Sequence, residues 1–452
     1  LRPRDPPANV ARALHTKMAG YVGFGSFHSD NVEKAIILPS SMYTPPPVPF
    51  DEDAFFKGSE TFAFGKEARK WFMIDFDKWT FVNHGAFGAA ARPAFQAMRA
   101  WQDHMEAQPL AFIDRELLPQ LVRVIREVAD LVGSRPQDVV FTANATTGIN
   151  AVVKSAGISA GDVVYMLDIG YGSTKKILGA ACTAAGAVLH IEPVPFPLTG
   201  EAGLVDLLER TLPAEGCRLC VLDWVTSNTA VRLPIKRMVD VAKSKGVRVL
   251  VDGAHALGMM PIDLKTLGAD YFVANCHKWL CSPKSAGVLW VSPPLKHTVP
   301  PPVISHGHGE GFTSEFIWDG TRDHSAELAV STAMRFWRMV GAERAREYMR
   351  GLLSQAAELL CGAWRTGLLA PLGMCGTMAM VRLPVGCWGG AGVEATSEHA
   401  KAIQDRLFSE HIEAPIKTVQ GELFVRVSAH VYNSLEDYHV LAGAIARIAA
   451  EE

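Results

Sequence analysis

From residue 138 onward, short apolar runs alternate along the chain with longer windows in which apolar positions recur every three or four residues. The short runs are Asp138–Thr142, Asp162–Leu167, Ala187–Val194, Leu219–Asp223, Val247–Asp252, Asp270–Ala274 and Gly287–Val291. Runs of that length suit strands buried on both faces, because successive side chains of a strand point to opposite sides. The windows between them, such as Thr174–Ala185 and Ile235–Lys245, carry the period of a helix with one apolar stripe. Alternation of the two predicts an α/β fold, a large domain with a mostly parallel seven-stranded sheet and helices on its faces.

Prolines at Pro293-Pro294 and Pro300-Pro301-Pro302 interrupt the series, and a long helical window begins near Ala326. Beyond it, the strand-like runs Thr377–Leu383 and Glu422–Ser428 lie among further helical windows, which predicts a smaller C-terminal α+β domain. The first 75 residues carry Gly and Pro clusters, including Thr44-Pro45-Pro46-Pro47, and little periodicity. The expected division is an N-terminal extension, partly irregular, over 1–75, a large domain over 76–325 and a small domain over 326–452.

Composition narrows the function. A chain of 452 residues with 48% hydrophobic and 20% charged residues has an ordinary globular core. A net charge of −3 offers neither a basic field for nucleic acid nor a polybasic patch for a membrane surface. No apolar run reaches the length of a membrane span. The eight cysteines are scattered, several inside strand-like runs, which fits a reducing compartment better than a disulfide framework. Cys217 and Cys220 form a C-x-x-C, but in a strand that spacing sends the thiols to opposite faces. Near the N-terminus Arg2, Arg4, Arg12 and Lys17 face one acid, Asp5. A transit peptide and an irregular tail share that composition. The expected location is cytoplasmic, with organellar targeting by this segment as the alternative.

In open α/β sheets, ligands gather at the carboxyl ends of strands. The run ending at Ala274 breaks into Asn275-Cys276-His277-Lys278-Trp279. Lysine is among the least buried residue types, so Lys278 is either a solvated turn residue or a desolvated amine that forms an imine with a carbonyl cofactor. One strand–helix–strand step upstream, V-D-G-A-H supplies Asp252 and His255. An aspartate there needs a cation or a cap, and a protonated pyridine nitrogen is one such cation. The run Asp138–Thr142 leads into A-N-A-T-T-G-I-N, where Ala145, Thr146 and Thr147 either cap a helix or form an anion site of phosphate size. Leu219–Asp223 leads to Asn228, and Asp162–Leu167 to Tyr171, whose ring is a stacking surface for a flat cofactor. A phosphate cup, a stacking ring, an acid and an amine together are the inventory for pyridoxal 5′-phosphate.

These motifs, with N-H-G-A-F-G at 83–88, I-G-Y-G at 169–172, N-C-H-K-W-L-C-S-P-K-S-A-G at 275–287, S-H-G at 305–307 and D-G-T-R-D at 319–323, resemble the class V aminotransferase family of fold-type I pyridoxal-phosphate enzymes. The resemblance runs from about Asn83 to Tyr438, and is nearest to the branch of isopenicillin N epimerase-like proteins and ergothioneine-pathway C–S lyases. It implies that Lys278 bonds the cofactor and shuttles the Cα proton, that Asp252 pairs with the pyridine nitrogen, and that His255 lies near the ring hydroxyl. Thr146 and His277 would contact the phosphate, and Tyr171 the ring. Gly320 and Thr321 would reach the phosphate of a neighbouring subunit, implying a homodimer with active sites at the interface. Arg426 would clamp the carboxylate of a small amino-acid substrate in a fork geometry, with Asn83 and His84 lining the substrate side.

Desulfurases of the family carry a nucleophilic cysteine on a loop upstream of that arginine. Here the nearest candidate is Cys387 in G-C-W-G-G, without the desulfurase motif, which disfavours persulfide chemistry. Cys276 and Cys281 flank the lysine as strand-end thiols, a position usually taken up by packing. His306-Gly307-His308-Gly309-Glu310 has metal-ligand spacing, but it falls where the resemblance places a substrate or interface loop, and no metal is expected. The expected reaction is β-elimination at a C–S bond of a cysteine conjugate or its sulfoxide, giving pyruvate and ammonia. The alternatives are amino-acid epimerisation, transamination or desulfurase-like chemistry, and a scaffold that has lost catalysis.

Overall fold

The structure is a computed structural model that describes residues 27, 31–58, 62–390 and 392–451. The basic segment with Arg2, Arg4, Arg12 and Lys17 lies outside the described residues. Among the described residues twelve strands occur: β1 Thr80–Phe81, β2 Val139–Thr142, β3 Val163–Leu167, β4 Val188–Glu192, β5 Cys217–Asp223, β6 Arg248–Asp252, β7 Tyr271–Asn275, β8 Gly287–Val291, β9 Met378–Arg382, β10 Ile412–Glu413, β11 Ile416–Val419 and β12 Glu422–Ser428.

The seven-stranded sheet runs in the order β2-β8-β7-β6-β5-β3-β4. Neighbours from β4 to β7 pair in parallel. Only β8 runs the other way, antiparallel to both β7 and β2, so β2 points with the parallel set. The carboxyl ends of β2, β3, β5, β6 and β7 therefore open on one edge. Every residue of β7 and β8 is buried, the two-sided burial that their near-continuous apolar sequence demands. Cys217 and Cys220 both lie in β5, half-buried and buried respectively.

The helix Ala145–Ser155 follows β2. Asn144 caps it, its side chain accepting from Thr147 N–H, which starts the helix at the open edge of the sheet. Gly148 lets it lie close on the sheet: a Cβ there would sit 2.8 Å from Val273 Cγ1. On the other side the helix Leu117–Leu131 buries most of its length. The short helix Val32–Ile37 packs Val32 and Ile36 into the same core, and Arg126 donates to Ile36 O at 2.9 Å.

A second core, with Leu360, Leu407, Val425 and Tyr438, lies beneath the antiparallel sheet β11-β12-β9 and the helices Ser397–Ser409 and Leu435–Glu451. The helix Val330–Val340 buries Met334 and Phe336 in the core of the large sheet. β1 pairs in parallel with β10, and Ser428 N–H donates to Val82 O at 2.8 Å. The segment leading into Asn83 is thereby fastened to the smaller sheet, next to β12. Among the described residues no helix is long and apolar enough to cross a membrane.

Candidate active site

At the open edge of the large sheet lies a cavity of about 240 Å³. Residues following five strands reach it: Thr146 after β2, Tyr171 after β3, Ser227 after β5, His255 after β6 and Lys278 after β7. Lys278 itself is only 7% exposed. Removing an ammonium from water without a full counter-ion favours the neutral form. Burial pulls the Lys278 amine down from its ordinary 10.5 to about 8, with Asp252 opposing the shift.

The lysine reaches this position because the chain turns sharply behind it. Gly88 has φ +66°, and a Cβ there would stand 1.9 Å from His277 O and 2.7 Å from Lys278 Cα. Only a glycine permits that approach. Lys278 O accepts from His84 Nε2–H at 3.0 Å, and His84 Nδ1 accepts from the Tyr432 hydroxyl at 2.8 Å. The amine lies 3.1 Å from His255 Nε2, and Trp279 Nε1–H donates to His255 Nδ1 at 3.1 Å.

Two buried carboxyls stand beside it. Asp252 and Asp223 are directly paired across β6 and β5. Burial raises both, and Asp223 is raised further by its neighbour. Asp252 accepts from Ala254 N–H at 3.0 Å, and Asp223 from Tyr171 N–H at 3.3 Å. At the opposite end, Asn275 Oδ1 accepts from Ala145 N–H at 2.9 Å, holding the start of the helix against the end of β7. His277 lines the cavity there with a buried Nδ1 that has no partner, and burial pulls its imidazole down to about 4.

These groups fit pyridoxal 5′-phosphate. A helix start and an unpartnered His277 nitrogen suit a phosphate, the Asp252 carboxyl suits a pyridinium, and the Lys278 amine suits an aldehyde.

Arg426, on β12, is 3% exposed, and its hydrogen-bond partners among the described residues are Ser227 and Asn83 rather than an acid. It donates to Asn83 Oδ1 at 2.9 Å and to Ser227 O, and its Nε–H is buried without a partner. Burial pulls it down to about 10. Ser227 belongs to the cavity wall, so the guanidinium stands directly behind that wall.

The structure thus gathers Lys278, Asp252, His255, Ala145, Thr146, Tyr171 and His277 around one cavity, with Arg426 and Asn83 bonded to each other behind it. Four other candidates do not line this cavity. His84 is fully buried and is directed at the back of Lys278, because its ring is stacked on His430 with centroids 3.8 Å apart; Ala86 and Phe87 of the same motif line the cavity instead. Asn83 does not line it either, since its side chain is spent on Arg426 and Glu413. Asn228 is exposed at the tip of its turn, and Ser227 takes the wall position. Thr147 turns its N–H and hydroxyl back onto Asn144, so it caps rather than lines.

Gly320 and Thr321 lie in a surface loop and do not line this cavity. His308 is exposed, 3.6 Å from Glu315. Cys281, His84 and His430 bring ligand atoms within 4.8 Å of one another, but His84 spends both ring nitrogens on Tyr432 and Lys278. Asp223, Ser227 and Asn275 were not singled out from sequence. Asp223 closes an apolar run as Asp252 does, and Asn275 directly precedes the lysine motif, so position relative to the strand ends was the available signal.

The aminotransferase class-V family matches residues 116–370 of this chain. An L-cysteine desulfhydrase of Arabidopsis thaliana is 30% identical over 404 residues, covering 82% of this chain and 88% of that protein. An isopenicillin N epimerase of Amycolatopsis lactamdurans is 30% identical over 390 residues, covering 81% of this chain and 94% of that protein. Among solved structures, a C-DES mutant with glycine covalently linked to its PLP cofactor superposes with a TM-score of 0.70 at 21% identity, over 84% of this chain and 98% of that one.

Proposed function

Because the chain belongs to the class-V aminotransferase family, we propose that it is a pyridoxal-phosphate-dependent lyase that eliminates the sulfur substituent of a cysteine conjugate or its sulfoxide. The observation that carries this reading is the pairing of a buried, easily deprotonated amine, Lys278, with a buried guanidinium, Arg426, that hydrogen-bonds Ser227 and Asn83 rather than an acid. An α-amino acid supplies the missing carboxylate.

Arg426 binds that carboxylate, its unpartnered Nε–H offering a donor that Asn83 and Ser227 leave free. Thr146 and His277 would hold the phosphate at the helix start, Asp252 would meet the pyridinium, and Tyr171 would cover the ring. The cofactor, when bound, supplies an electron sink for the pair left at Cα. Lys278, which would hold the cofactor through its aldehyde, is placed to take the Cα proton as a neutral base. The Cβ–S bond then breaks and the sulfur leaves as a thiol or sulfenic acid. Addition of water to the remaining three-carbon enamine gives pyruvate and ammonia.

One feature supports elimination over sulfur transfer: no cysteine lines the cavity among the described residues, and Cys387 is buried in the second core. Epimerisation is the second reading, favoured by Tyr171, a further acid on the cavity wall.

We also infer a homodimer in which Gly320 and Thr321 serve the neighbour's phosphate, with residues 76–325 holding the cofactor and 326–452 supplying Arg426. The eight cysteines, scattered along the chain without the spacing of a disulfide framework, support a reducing compartment, cytoplasmic or organellar.

The test is the visible spectrum of purified protein, before and after a panel of S-substituted cysteines and their sulfoxides, with pyruvate assayed. A spectral shift with pyruvate and released thiol is the expected result. A shift with racemised substrate and no pyruvate assigns the epimerase, and loss of the band's dependence on Lys278 would overturn both.

A further inference from the structure

The active lysine is followed directly by a tryptophan that the proposed reaction does not use. Trp279 is fully buried, and its indole donates to His255 Nδ1 at 3.1 Å. Indole N–H is a donor only, so His255 Nδ1 must be the bare nitrogen. A neutral imidazole then carries its proton on Nε2, the atom that lies 3.1 Å from Lys278 Nζ.

An Nε2–H facing Nζ makes a hydrogen bond only if the amine accepts. An amine accepts through its lone pair, which an ammonium lacks. We propose that Trp279 is a positioning residue that fixes the tautomer of His255 and, through it, favours the neutral form of the Lys278 amine over its ammonium.

The surroundings agree with this arrangement. His255 is kept neutral by burial and by the positive neighbours Lys278 and Arg426, with His84 and His277 also nearby. Lys278 faces Asp252 and Asp223, which favour its ammonium, and Arg426, which opposes it. The acids alone would hold the lysine charged; the relay from Trp279 acts in the other direction. It gives a local reason for the order His277-Lys278-Trp279: the residue after the amine reaches round through β6's exit loop to set its protonation. Trp279 is well placed for this because its backbone is clamped, a Cβ on Gly258 meeting Trp279 C and O at 2.5 Å.

The inference rests on Lys278 being the reactive amine, but not on elimination, and its readouts do not use turnover. In full-length cofactor-stripped protein labelled with ¹⁵N-histidine, with the His255 resonances identified by their loss in His255→Phe, the expected form at pH 7 is neutral with the proton on Nε2. A proton on Nδ1, or on both nitrogens, overturns the proposal. The second readout is the pH dependence of the rate at which cofactor-stripped full-length protein recaptures pyridoxal 5′-phosphate, followed by its visible absorbance. Trp279→Phe frees His255 to turn a bare Nε2 toward an ammonium, and should raise the midpoint by about one pH unit, a tenfold loss of neutral amine at fixed pH. In a His255→Phe background the same change should have no further effect. An unmoved midpoint in Trp279→Phe, or an equal shift in both backgrounds, means that Trp279 only packs. If Trp279→Phe does not fold, the tautomer in the unaltered protein still decides.

Discussion

Replacing Lys278 by methionine should make the cofactor-free protein more stable at neutral pH, although it destroys the reaction. The amine's ordinary value of 10.5 is pulled down to about 8 in the fold. At about 1.4 kcal/mol per tenfold, keeping it protonated in the folded state at pH 7 costs roughly 3 kcal/mol. The attraction of Asp252 is already contained in that figure, because it opposes the shift. Methionine is unbranched, apolar and of similar length, so it removes the charge while largely filling the space. Imperfect repacking of that side chain against its neighbours costs about 1 kcal/mol. The net gain at pH 7 is then roughly 2 kcal/mol. For a chain of 452 residues, at about 2 cal/mol/K of unfolding entropy per residue, that is about 2 °C in Tm. The sign reverses with pH. Between about 8 and 10.5 the unfolded chain holds a proton that the folded one has released, so stability of the lysine protein rises through that window. The advantage of Lys278→Met should shrink there and be gone above it. Urea unfolding of both cofactor-stripped proteins from pH 7 to 10.5 measures this directly. A difference that does not change with pH, or a methionine variant that is less stable at pH 7, refutes the claim that the amine is held against desolvation.

Arg426→Lys keeps a charge but loses the planar fork, and should weaken substrate binding about 10- to 100-fold while leaving cofactor absorbance intact; spectral titration checks this, and unchanged affinity removes Arg426 from the site. Gly88→Ala places a Cβ on the backbone of His277 and Lys278 at a left-handed φ, and should lower stability by several kcal/mol and abolish the cofactor band. Retention of both would mean that the close approach behind the lysine is not required. Asn275→Ala removes the acceptor for Ala145 N–H, leaving that donor to the cavity. It should cost about 1–3 kcal/mol of stability and speed cofactor loss on dialysis, measured against the unaltered protein.

The strand ends were legible in the sequence because two local signals coincide there. A buried parallel strand must be written as a continuous apolar run, and its end must be marked by the first residues that can bear water or a ligand. That is why Asp252, Lys278 and the A-N-A-T-T-G turn could be read one strand at a time, and why the seven runs match β2 to β8 closely. The four-residue β11 was not legible: Ile416–Val419 carries too short an alternation, and it is a strand because β12 offers it a partner. His84 shows the same limit in the site. Its motif points to the cleft, but a stacked His430 and the carbonyl of Lys278 claim the ring, and both come from distant parts of the chain.

The sequence by itself determined the sheet, the cofactor and the amine, because each depends on residues adjacent along the chain or on a period of two or 3.6. Only the tertiary structure decided which side chains face the cavity and in what protonation state. Asp223 stands beside Asp252 because β5 and β6 are neighbours in the sheet, and Arg426 reaches Ser227 because β12 packs against the turn after β5. Trp279 meets His255 because two strand-exit loops fold over each other. A pKa is set by what surrounds a group in three dimensions and by how much water is excluded from it, and neither quantity is written in the order of residues along the chain.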